Sequence, residues 1–154
     1  MSALGVVALA VGILVFVALL FAVVLIPVRR RARTQRAAIE RSLGGSAKRI
    51  ANAQGLGLES RGKGQVRGNG WLVLTDDELR FAQWIPQRET RIPLEAVIAV
   101  ETPRWWLGKS VGSKLLCVRW RTTEGGADAM AWNVRDLDGW LELIAMSRRA
   151  AEGQ

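Results

Sequence analysis

The hydrophobic and polar positions divide the chain into two regimes. Residues 3–28 form an apolar run without a single charge. As a helix at ~1.5 Å per residue the run would reach about 39 Å, beyond the ~30 Å hydrocarbon core of a bilayer. The pattern predicts an N-terminal transmembrane α-helix over residues 1–28. No Lys or Arg precedes the run, and no small-x-small site closes it ahead of the basic cluster after Pro27, so an uncleaved anchor is favoured over a secretory signal. Gly5, Ala8 and Gly12 share one face of that helix and offer a close-approach surface for a homodimer.

From residue 71 to 101 the period changes. Leu72, Val73 and Leu74 make one apolar run and Leu79, Phe81 and Trp84 the next, separated by the polar turn Thr75-Asp76-Asp77-Glu78. Pro86 breaks the second strand, residues 88–92 make a third, and Val97, Ile98 and Val100 fall in a fourth. Strands this short predict an antiparallel meander that curls. Farther on, residues 114–121 alternate, with Leu115, Cys117 and Arg119 on one side and Leu116, Val118 and Trp120 on the other. Glu124-Gly125-Gly126 is a hairpin turn, and Met130, Trp132 and Val134 mark the last strand. Asp136 then caps a helix whose apolar face holds Leu137, Trp140, Leu141, Ile144 and Ala145. Trp140 is expected to close one open end of the sheet.

The glycine-led strand with Leu72, Leu74, Thr75, Asp76, Leu79 and Phe81, followed by Ile92, Pro93, Leu94, Val97, Val100 and Glu101, resembles the core of bacterial pleckstrin-homology-like (PH-like) and GRAM-like domains. The likeness covers residues 56–149. It implies a bent antiparallel sheet, a partly open barrel of about seven strands, capped by a C-terminal α-helix, and it implies no catalysis. The domain is placed at residues 55–154, with residues 29–54 as a basic juxtamembrane helix and linker: the helix ends at Gly44-Gly45-Ser46, and residues 48–57 are a second loose piece, helical up to Gln54. Residues 58–67 are read as a ragged first strand.

Charge sharpens this division. Of the 22 basic residues, Arg29, Arg30, Arg31, Arg33, Arg36, Arg41, Lys48 and Arg49 stand against Glu40 alone, while residues 51–154 hold 14 basic and 13 acidic residues. The net charge of +8 therefore belongs to a collar beside the apolar run, which argues against nucleic acid as a partner. By the positive-inside rule, the expectation is a single-pass protein of the bacterial inner membrane, N-terminus outside and domain cytoplasmic.

Candidate chemistry is sparse. The chain has no His and one Cys, Cys117, within an apolar strand. That removes the commonest general base and metal ligand and excludes an internal disulfide. No catalytic, cofactor or metal residues are assigned, and Gly108-Lys109-Ser110 fails as a phosphate loop because position 103 is Pro. The exposed-loop candidates for a protein partner are Trp105, Trp106 and Leu107, with at least one indole expected in the core. The candidates for anionic lipid headgroups are Arg29, Arg30, Arg31, Arg33, Arg61, Lys63, Arg67, Arg104 and Lys109. In PH domains the loop between the first two strands often gathers such basic residues, although no ligand motif is matched here. The expected function is a membrane-anchored, non-enzymatic module that docks a protein partner. The alternatives are a lipid-sensing domain, or an accessory subunit of a transporter or enzyme complex.

Overall fold

The computed structural model describes residues 3–43 and 45–152. A long helix, α1 (Ala3–Leu43), is followed by β1 (Arg49–Leu58), β2 (Gly68–Leu74), β3 (Glu78–Gln83), β4 (Arg88–Pro93), β5 (Val97–Glu101), β6 (Leu116–Arg121), β7 (Ala127–Asn133) and α2 (Leu137–Glu152). The chain divides into two compact units, residues 1–38 and 39–154.

Among the described residues, no helix is long and apolar enough to cross a membrane. The apolar run of residues 3–28 lies within α1. The same helix does not stop at the foot of that run but continues through the Arg-rich stretch to Leu43. This corrects the transmembrane helix in the expected fold, the single-span membrane partnership, and the inner-membrane localisation with an outside N-terminus and a cytoplasmic domain. Gly5 and Ala8 lie outside the residues whose side chains are described, and nothing lies within 4 Å of a Cβ built on Gly12.

The second unit is a seven-stranded antiparallel sheet with a C-terminal helix. Its strand order is β4-β3-β2-β1-β7-β6-β5. The four strands expected in one meander are thus split: β2, β3 and β4 run consecutively to one edge, and β5 stands at the other. Seven strands at ~4.8 Å spacing span about 29 Å, far wider than the ~10 Å that one helix covers. Yet one buried cluster takes Ala53, Leu72, Phe81, Ile92, Val97, Val118 and Trp132 from all seven strands, with Trp140 and Ile144 of α2. The sheet must curve around that cluster for both edges to reach it.

The first strand lies where the sequence reading placed a helical fragment. β1 begins ahead of Gly55, and residues 59–67 form a 3-10 turn and loop instead of a strand. β1 sits centrally, paired with both β2 and β7. A Cβ at Gly55 would stand 2.7 Å from Met130 Cε and 2.9 Å from Phe81 Cε1, so the glycine leaves the space those side chains fill.

Helix α2 is fixed at both ends. The Asp136 carboxylate accepts from the Gly139 N–H at 3.1 Å and from Arg49 Nη2 at 2.7 Å, which caps the helix and ties it to the start of β1. Arg49 stands 4.8 Å over the Trp140 ring, which is buried in the core. Near the C-terminal end, Lys48 donates to Ser147 Oγ and Arg148 Nη2 donates to the Val97 carbonyl.

Candidate docking site

The outer face of β1, β7 and β6 is lined by Leu56, Leu115, Cys117, Ala129 and Ala131. The small residues make a shallow floor, and Trp106 lies on it with Leu107 and Val111 at its margin. A polar outer face would have left this loop free. The alternation in β6 gives the core one side and this second cluster the other, so a loop must cover it.

That covering loop closes in a two-residue hairpin. Trp106 N–H donates to the Lys109 carbonyl at 2.8 Å, and Lys109 N–H returns to the Trp106 carbonyl at 2.9 Å. The two central residues, Leu107 and Gly108, both have positive φ, 50° and 75°. This is what a type I′ turn demands, and for a leucine it is strained. The Leu107 side chain packs against the outer cluster, which offsets that strain.

The turn is braced by four hydrogen bonds, two to the end of β1 and two to the β1–β2 loop. Trp106 Nε1 donates to the Gly57 carbonyl at 2.8 Å. Lys109 Nζ donates to the carbonyls of Leu56 at 3.0 Å and Gln65 at 2.6 Å. Arg67 Nη2 donates to the Ser110 carbonyl at 3.0 Å. The loop is itself tied by the Gln65 side-chain amide, which bonds the backbone of Leu58 in both directions and the carbonyl of Gly62. On this mount Trp105 is 68 % exposed while its neighbour Trp106 is buried.

The sequence candidates therefore separate. Trp105 faces outward, Trp106 is a structural anchor, and Leu107 is half-buried. Lys109 and Arg67 spend their donors on backbone carbonyls. Arg61, Lys63 and Arg104 are exposed. Arg30 and Arg33 are exposed on α1, and the side chains of Arg29 and Arg31 lie outside those described. The structure brings Arg67, Trp106 and Lys109 together, which sequence spacing of some forty residues concealed.

On the other side of the same loop is a cleft of about 960 Å³, with Phe81, Trp120 and Met130 below and Arg61, Gln65 and Arg88 among its walls. Arg88 was missed in the sequence because it reads as the start of an ordinary short strand. Arg61 and Arg88 make no ion pair among the described residues. Both carboxylates of the cleft are engaged: Asp128 accepts from the N–H and hydroxyl of Ser60, and Glu89 pairs with Arg80 and Arg91. The acidic turn is likewise committed in part, since Asp76 pairs with Lys48 at 2.7 Å. Among the described residues no cluster of His, Cys, Asp or Glu could hold a metal ion.

Cys117 lies on the floor under Trp106. Burial, reinforced by the Glu101 charge, pushes its thiol from 9.0 up to about 12 against the opposing pull of Arg119. It is a space-filling side chain and not a nucleophile at neutral pH.

No family model matches the chain, and no curated protein matches it. Among solved structures it is similar to the crystal structure of the C-terminal domain of an unknown protein from Leishmania infantum. The TM-score is 0.52 at 14 % identity, over 73 % of this chain and 96 % of that one. At that identity the likeness concerns the fold alone.

Proposed function

We propose that this chain is a non-enzymatic, PH-like binding module that docks a protein partner through the turn carrying Trp105. The observation that supports this reading is an indole left 68 % exposed on a turn held by four hydrogen bonds. Tryptophan is enriched at the energetic centres of protein interfaces. Rigid mounting means that little conformational freedom is lost on docking, which raises the affinity obtained from a small contact. A strained Leu107 persisting at the centre of the turn fits a turn kept for its shape. A docked partner of this kind also suits an accessory subunit of a larger complex. The test is recovery of a partner from cell extract by the full chain. Trp105→Ala is expected to abolish recovery while Arg61→Ala with Lys63→Ala leaves it intact, and the reverse ranking would refute the assignment.

A second reading rests on the cleft. Arg61 and Arg88 stand on its walls without ion pairs among the described residues, so it suits a small anion such as a phosphorylated headgroup. Titration calorimetry with a soluble inositol phosphate checks it. Binding lost on Arg61→Ala and Arg88→Ala supports this reading, and no heat of binding removes it.

A further inference from the structure

Two neighbouring loops carry cations and no acid. Residues 62–68 contain Lys63 and Arg67, and residues 102–115 contain Arg104, Lys109 and Lys114, without one Asp or Glu in either stretch. The hydrogen bonds from Lys109 to Gln65 and from Arg67 to Ser110 hold the two loops side by side. They also carry the two most exposed large apolar side chains of the β-sheet unit, Val66 at 82 % and Trp105 at 68 %.

The cations have different fates. Lys109 and Arg67 are consumed in holding the loops together. Lys63, Arg104 and Lys114 are exposed and form no ion pair among the described residues. The surface thus presents apolar tips on a rigid mount, with unneutralised positive charge beside them.

From this we infer that the partner docking at Trp105 is an acidic protein segment that places an apolar side chain against Trp105 and its carboxylates toward Lys63, Arg104 and Lys114. The inference rests on the docking reading above and adds the chemistry of the partner. Charge complementarity selects an anionic partner and speeds its encounter. The rigid mount favours a shaped protein surface over a fluid one, because only a shaped partner gains from fixed positions. Three free cations are too few to track a nucleic-acid backbone, whose binding scales with the number of phosphates neutralised.

The experiment selects a random-peptide phage library on the full-length chain, then measures a fluorescein-labelled synthetic copy of the most enriched peptide by anisotropy. The expected peptides are rich in Asp and Glu around an aromatic or aliphatic residue. Binding should weaken at least about tenfold with Trp105→Ala. It should weaken similarly with the combined Lys63→Glu, Arg104→Glu and Lys114→Glu variant, and also when salt is raised from ~0.05 to ~0.5 M. Arg88→Ala, in the cleft, should leave it unchanged. All of these side chains are exposed, so circular dichroism should be unaltered. Peptides that need Trp105 but lack acidic residues and ignore the charge reversal would overturn the acidic inference and leave the docking reading standing. Peptides indifferent to Trp105, or none enriched, would overturn both. Phosphatidylserine vesicles that capture the chain through Lys63, Arg104 and Lys114, without any Trp105-dependent peptide, would assign the surface to lipid and overturn the inference as well.

Discussion

Replacing Lys109 with Met leaves an unbranched side chain one atom shorter and removes its charge. In the native chain the ammonium donates to the carbonyls of Leu56 and Gln65 at 3.0 and 2.6 Å. A hydrogen bond to a charged group contributes roughly 1.5–3 kcal/mol, and both of these share one half-buried ammonium. Loss of both, offset by the easier burial of a thioether, gives an expected destabilisation of about 2–3 kcal/mol. That is a large part of a domain stability of ~5–15 kcal/mol, yet the sheet should remain folded at room temperature. Urea denaturation should show a lower midpoint with an unchanged slope. Amide exchange should rise first in residues 57–67 and 105–111, which the ammonium joins, and not in β2 or β3. Lys63→Met is the control, since an exposed substitution without partners should stay within about 0.5 kcal/mol. A Lys109→Met loss below about 0.5 kcal/mol, or exchange unchanged in both segments, would refute the bracing argument.

Trp140 is 1 % exposed within the core, so Trp140→Ala should cost about 3–5 kcal/mol in chemical denaturation; a loss under about 1 kcal/mol would show the ring to be dispensable. Cys117, buried and pushed up to about 12, should react with a disulfide reagent at pH 8 only as fast as the chain unfolds, and prompt labelling of native protein would contradict this. Asp136 is held below its usual 3.8 by its hydrogen bond from Arg49 and then by the Gly139 N–H. A depressed carboxylate contributes stability above its unfolded value, lost as pH falls through the folded one. Asp136→Asn should therefore flatten the acid side of the stability profile below about pH 4, and an unchanged profile would exclude the contribution.

Periodicity was sufficient for several elements. The two-sided alternation of β6 placed Leu116, Val118 and Trp120 against one cluster and Leu115 and Cys117 against another, because side-chain direction along a strand is a local property. Likewise the Asp136 cap and the Trp140 face of α2 depend on residues only a few positions apart. What local pattern could not supply was β1. Its glycines look like linker, and their purpose is the room they leave for Met130 and Phe81, far away in sequence. Nor could composition fix the N-terminal segment. Its charge-free run predicted a spanning helix, whereas no described helix is long and apolar enough to cross a membrane.

The docking surface shows the same division. The sequence shows that the residue 102–115 loop carries two tryptophans among cations and no acid. It could not rank Trp105 against Trp106, or Lys109 against Lys114, because identical side chains differ there only in what lies opposite. The fold ranks both pairs. The carbonyls of Leu56, Gly57 and Gln65 come to meet Trp106 and Lys109, and a buried donor takes such a partner when the fold presents one. Trp105, with its neighbour anchored below it, is left facing solvent. Hydrophobic period is written along the chain, but the partner of a polar group is set by which distant backbone the fold lays beside it.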